Sequence, residues 1–224
     1  MFISIDLSIK SPGIAINYKS DGVDKYVLYS FTEYKVNEDM SYYGEIEKSD
    51  YVVFFTHNNI LSEFKKTNTD IRENYFLRIK NNAKRFIKLL DNTIQMLSKF
   101  DDDAGEYNFS MEGYSYAAVG MSYDIAEYGG IIKYFIEEKY KTKVVIIEPT
   151  RIKKFAYKGN ARKNDMVDAA MRNNKNIEKI FNEMKEYYIR KKSNKNPLYE
   201  SPFNDLVDAY FQLQLFKDMK KKNI

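Results

Sequence analysis

The sequence predicts an α/β fold: a five-stranded mixed sheet flanked by helices, in one domain spanning residues 1–224. Three observations predict it. Short apolar runs separated by turn residues open the chain, as in a meander of antiparallel strands. Later an apolar run, a helix-length segment and a second apolar run alternate, the pattern of a strand–helix–strand crossover. The chain closes on a helical segment that carries two aspartates among its apolar positions. The length is enough to bury a sizeable core. No apolar run is long enough to cross a bilayer. Asp6 interrupts the N-terminal apolar run where an export signal would continue, so a cytoplasmic protein with no membrane partner is expected. The absence of cysteine excludes disulfides and thiolate metal sites.

Phe2–Leu7, Gly13–Tyr18 and Lys25–Phe31 read as the first three strands, with Ser11-Pro12-Gly13 and Ser20-Asp21-Gly22 as turns. Alternation puts Ser4 and Asp6 on one face of the first strand and Ile3, Ile5 and Leu7 on the other. An acid in so apolar a strand needs a partner. Residues 32–69 are polar, Tyr-rich and without a clear period, and read as an insertion or lid. Within them Tyr51–Thr56 has strand character, and His57, the single histidine, reads as a surface residue.

Asp70 to Phe100 is the clearest helix. Tyr75, Ile79, Ala83, Phe86, Ile87, Leu90, Ile94 and Leu97 make one apolar stripe. Arg72, Arg78, Lys80, Lys84, Arg85 and Lys88 lie mostly off it, as a solvated face or as phosphate contacts. Asp101-Asp102-Asp103 reads as a solvated loop rather than a metal site. Asn108–Glu112 is a fourth strand, again ending in an acid, followed by Gly113, Tyr114 and Tyr116. Ser122 opens a helix with Ile125, Tyr128, Ile132, Phe135 and Ile136 on its apolar face. Gly129 and Gly130 inside it each cost about 1 kcal/mol relative to Ala, which close packing on a sheet would justify. Lys143–Ile147 is the fifth strand, and Glu148-Pro149-Thr150 leads into a short helix, Arg151–Ala156.

Charge is unevenly placed. From Lys139 to Lys195 there are 17 Lys/Arg against 6 Asp/Glu, so this stretch carries +11 in a chain of net charge +4, and the remainder carries −7. Such a segment suggests a polyanion partner. An AT-rich coding bias accounts for abundant lysine but less well for its concentration. Residues 157–195 form the basic segment proper. It opens on Tyr157-Lys158-Gly159-Asn160-Ala161-Arg162-Lys163, a basic loop ahead of a helix starting at Asn164 or Asp165. Backbone N–H groups at a helix start beside Arg and Lys make a ready phosphate site. Ile177–Arg190 is a further amphipathic helix, and Lys191–Asn196 a linker.

In the last helix Ser201 is a good N-cap and Pro202 suits the first helical position. Leu206, Tyr210, Leu213 and Phe216 recur at helical spacing. Asp205 and Asp208, three apart, share a face. Either one caps the helix and the other is solvated, or a divalent cation with oxygen ligands relieves their repulsion.

Acids thus mark three places: Asp6, Glu112, and Asp205 with Asp208. Three antiparallel strands, then strand–helix–strand, then a C-terminal helix is the order of an RNase H-like fold, with sheet order 3-2-1-4-5 and here an insertion after strand three. In that fold strands one and four end side by side and the last helix packs across them, so all four acids would converge. Four carboxylates suit two divalent ions about 3.5–4 Å apart. Mg²⁺ is the natural ion for hard oxygen ligands.

The chain resembles the RuvC family of Holliday-junction resolvases, in particular its phage and large-DNA-virus branch. The matching segments are Ser4-Ile5-Asp6-Leu7-Ser8 with Pro12-Gly13, Glu112-Gly113-Tyr114, Gly159-Asn160-Ala161-Arg162-Lys163, and Asn204-Asp205-Leu206-Val207-Asp208-Ala209. The resemblance implies a homodimeric, Mg²⁺-dependent crossover junction endodeoxyribonuclease that uses two ions, with Mn²⁺ as a substitute. Its substrate would be branched DNA: four-way junctions, and equally flaps and Y-forms. It assigns catalysis and metal binding to Asp6, Glu112, Asp205 and Asp208, and sets Lys163 near the scissile phosphate. DNA contacts fall to Tyr114, Tyr116, Lys158, Asn160, Arg162 and Lys163. Where bacterial members commonly carry a junction-wedging aromatic, three positions after the glutamate, this chain has Ser115, flanked by the two tyrosines. The other readings are a non-catalytic DNA-binding scaffold for replication or recombination, or an RNase H-like nuclease of the RNA–DNA hybrid or transposase type. A sugar-kinase or actin-like ATPase would need Gly-rich phosphate loops that the sequence lacks.

Overall fold

Phe2–Asp6 forms β1, in the interior of the sheet. Gly13–Ser20 (β2) and Val23–Thr32 (β3) follow as antiparallel neighbours. Asp21 and Gly22 join β2 to β3 with φ of 52° and 76°, the left-handed pair that a two-residue hairpin turn requires. The structure is a computed structural model and describes residues 1–8, 12–32, 51–57, 71–113, 122–187, 196–200 and 203–222. Asn108–Glu112 (β5) lies parallel to β1 on its other side, and Val144–Ile147 (β6) parallel to β5. These are the five strands expected, in the expected order.

A sixth extends the sheet. Tyr51–His57 (β4), from within the insertion, pairs parallel to β3 at the edge, giving the order β4-β3-β2-β1-β5-β6. The insertion therefore contributes a strand to the sheet, through the run of strand character seen in the sequence.

Helices cover both faces. Ile71–Leu97 (α1) and Ser122–Tyr140 (α2) pack on one face, where Ile3, Ile5, Ile14, Ile16, Phe109 and Met111 meet Ile79, Phe86, Leu90, Tyr128 and Ile132. Lys80, Lys84, Arg85 and Lys88 are exposed, off the apolar stripe as the α1 pattern predicts. Gly130 is exposed on α2, and a Cβ there would meet nothing within 4 Å. Close packing does not explain that glycine.

The other face carries Pro149–Ala156 (α3), Lys163–Asn173 (α4), Lys175–Tyr187 (α5) and Phe203–Lys221 (α6). The caps expected at Ser201 and Pro202 lie outside the described residues. The spacing in α6 suggests one apolar stripe, but the helix is buried nearly all round, from Phe203 and Leu206 to Leu213 and Phe216. It lies between the sheet and α3, α4 and α5, so its outer side also needs apolar residues. Lys217 pins it to β2 and β3, its ammonium donating to Asn17 at 2.6 Å, Asp24 at 3.0 Å and the Tyr26 hydroxyl at 3.2 Å.

Two of the three acids after α1 hold loops together. Asp101 lies 3.5 Å from the N-terminal amino group and accepts the Lys19 N–H, while Asp102 accepts the Gly22 N–H at 2.8 Å. Among the described residues no helix is long and apolar enough to cross a membrane.

Candidate active site

Asp6 is the last residue of β1 and Glu112 the last of β5. The parallel register pairs Ile5 with Met111, so the two acids leave the sheet at the same level. Strand alternation sends Ser4 and Asp6 to the α6 face and Ile3 and Ile5 to the α1 face, as the sequence predicts. α6 brings Asp205 and Asp208, one turn apart, across the ends of these strands. Its approach depends on Gly13, which faces Asp6 across β2. A Cβ at Gly13 would stand 2.1 Å from the main-chain oxygen of Asp205, so only a residue without a side chain lets the helix start this close.

The result is a cavity of about 320 Å³ lined by Asp6, Leu7, Ser8, Glu112, Ile125, Lys153, Lys163, Met166, Asp205 and Asp208. All four predicted acids and the predicted lysine meet there. Asp6 is 6% exposed and Asp205 4%, so much of the charge is held away from water. Burial raises Asp6 well above the usual carboxylate range, and the neighbouring Glu112, through its charge and a hydrogen bond between the carboxyls, raises it further. Burial and then Glu112 push Asp208 up to about 7, against the opposing pull of Lys163 and Lys153. The Lys163 ammonium lies 3.4 Å from Asp205. Burial lowers it, but Asp205, Asp208 and Asp6 together outweigh that and hold it above its ordinary value.

Among the described residues, no group of three or more His, Asp or Glu side chains is arranged to hold a metal ion as it stands. Asp6 lies beside Glu112 and the Lys163 ammonium beside Asp205, so one cation balances part of the negative charge. Charge and donor type still fit a hard divalent cation. Carboxylates from three elements line one small cavity, and the upward shifts of Asp6 and Asp208 reflect a deficit of positive charge beside them.

This charge balance predicts how the metal-free protein responds to pH. Asp6 and Asp208 bind protons more tightly folded than unfolded, so their stabilising effect is fully present below about pH 4 and is lost as pH rises through about 7. In EDTA the melting temperature is expected to fall between pH 5 and pH 8 by roughly 5 °C, equivalent to about 2 kcal/mol at this size. Asp208→Asn should flatten the decline. A profile that rises over this interval would show that the acids are not strained.

Lys158, Asn160 and Arg162 are exposed on the loop ahead of α4 and do not line the cavity. That helix starts at Lys163, a residue earlier than expected, with Asp165 accepting the Arg162 N–H at 2.9 Å. Tyr114 and Tyr116 lie outside the described residues. Sequence reasoning missed Lys153, counted there only as bulk charge. It sits beside the inward Ile152, so the helical phase of α3 carried the signal. Tyr157, which opens the basic loop, is 56% exposed one turn beyond Lys153, with the Lys158 ammonium 5.1 Å and the Arg172 guanidinium 5.9 Å from its ring centre.

No protein-family model matches the chain, and no curated protein does. Among solved structures, the chain is similar to Thermus thermophilus RuvC at 13% identity with a TM-score of 0.45, covering 98% of this chain and 96% of that one. It is similar also to T. thermophilus RuvC in complex with Holliday junction substrate, at 13% identity and a TM-score of 0.44, covering 98% and 95%.

Proposed function

We propose that this chain is a metal-dependent, structure-selective endonuclease that cuts branched DNA by phosphodiester hydrolysis. The observation that carries the reading is the convergence of Asp6, Glu112, Asp205 and Asp208, from two strand ends and one helix, with Lys163 in the same cavity. The four acids would hold Mg²⁺, as two ions, with Mn²⁺ as a substitute. When bound, the ions supply the positive charge that makes water a nucleophile at neutral pH and neutralises the leaving oxygen.

The remaining work falls to the chain's own side chains. Lys163 is close enough to the acids to donate to an oxygen of the scissile phosphate, and Lys153 lines the cavity beside it. Lys158, Asn160 and Arg162, exposed ahead of α4, would hold flanking phosphates. Residues 157–195 would follow the DNA, and Tyr114 or Tyr116 would stack at the branch point. Paired nicks in a symmetric junction need two such centres, hence a homodimer of the single 1–224 domain.

The test is cleavage of a labelled four-way junction, a flap and a linear duplex, each with Mg²⁺ and with EDTA. Paired symmetric nicks in the junction, abolished by EDTA, are expected of a dimeric resolvase. Equal cutting of flap and junction would make it a general debranching nuclease. Binding without cutting of any substrate would leave a DNA-binding scaffold instead. Lys163→Ala is expected to slow cutting about 100-fold, some 3 kcal/mol of barrier, with a smaller effect on affinity. Binding should weaken steeply with salt as phosphate contacts release counterions. Cutting by the Lys163 variant at the wild-type rate would remove that residue from the mechanism.

A further inference from the structure

Behind the acids lies a second set of polar side chains, each at a fixed offset from one of them. Ser4 precedes Asp6 by two positions and Ser110 precedes Glu112 by two, so each shares a strand face with its acid. Gln212 follows Asp208 by four, one turn along the same side of α6. Ser4 and Ser110 are register partners, and their hydroxyls are 2.6 Å apart. The Gln212 amide donates to the Ser110 hydroxyl at 3.0 Å. All three residues are 0% exposed, and the Gln212 side-chain oxygen accepts no hydrogen bond.

Stability does not explain this arrangement. Ala15 and Leu28 face α6 from β2 and β3 as apolar packing, and a buried amide with an unpaired oxygen is costly where an aliphatic group would fit. The polar set does what aliphatic packing cannot. Hydrogen bonds have direction and length, so they fix α6 against β1 and β5 along the helix axis, where apolar surfaces slide. Gly13 sets how close the helix lies, and Gln212 sets where along its axis it stops.

We infer that Ser4, Ser110 and Gln212 are positioning residues, which hold β1, β5 and α6 in the register that lets Asp6, Glu112 and Asp208 serve one cation centre. This rests on the metal-dependent reading above. Outer groups that orient ligands alter metal affinity by about 10–100-fold when removed.

The test uses Gln212→Leu, with Gln212→Met as a second change closer to glutamine in length should the first disturb folding. Mn²⁺ binding is measured by calorimetry and thermal unfolding in EDTA, on the full chain. The expected result is Mn²⁺ affinity weakened about tenfold or more, with a melting temperature equal to or above wild type. Wild-type affinity in both variants would overturn the inference. So would affinity lost only alongside a lowered melting temperature, since that is what a purely structural role gives. Failure of the wild-type protein itself to bind Mn²⁺ would overturn instead the metal reading on which the inference rests.

Discussion

Asp6→Asn is expected to reduce cutting of branched DNA by about a thousandfold or more, some 4 kcal/mol of barrier, while junction affinity stays within about twofold. The substitution keeps the shape of the side chain and removes its charge. It leaves untouched the exposed cations ahead of α4, which on the proposed reading would supply the attraction for phosphate. The same change should stabilise the protein in EDTA at pH 8. Asp6 is a buried acid beside Glu112 that ionises only at a cost, and an amide has no proton to lose. Loss of activity with a gain in metal-free stability separates a functional acid from a structural one. Cutting at the wild-type rate would dissolve the proposed centre.

Gly13→Ala is expected to be the most damaging change outside the acids. Its Cβ would fall 2.1 Å from the Asp205 carbonyl oxygen, against backbone that no rotamer change can move. Either α6 shifts outward or β2 does, and either separates Asp205 and Asp208 from Asp6. Overpacking of this kind costs about 1–3 kcal/mol, occasionally more. Cutting should fall at least about 100-fold, since small misplacements at a reacting centre are costly. Thermal unfolding and a cleavage assay together check this. Wild-type values in both would mean the α6 start is less closely seated than the structure places it.

Much of the sheet was legible because its cues are local. Alternation in Phe2–Leu7 separated Ser4 and Asp6 from Ile3 and Ile5, and the Asp21-Gly22 turn announced its hairpin. The four acids were legible for a related reason. A carboxylate set among isoleucines, as Asp6 is, has no cheap local explanation. What stayed hidden depends on tertiary placement. Gly13 reads as a turn residue until α6 is laid across it. Ser4, Ser110 and Gln212 are ordinary polar residues until the parallel register brings them into contact. Lys153 disappears into a lysine-rich stretch unless the phase of α3 is known. The run Tyr51–Thr56 was ambiguous because its partner β3 lies some twenty residues earlier, with polar chain between.

The central claim is that these four acids form a single cation centre, and it is tested most directly by diffraction from crystals soaked in Mn²⁺, read from the anomalous signal. Anomalous density in the cavity walled by Asp6, Glu112, Asp205 and Asp208, lost in Asp6→Asn, is the result expected. Density elsewhere, at Asp101 to Asp103 for instance, with this cavity empty at saturating Mn²⁺, would contradict it.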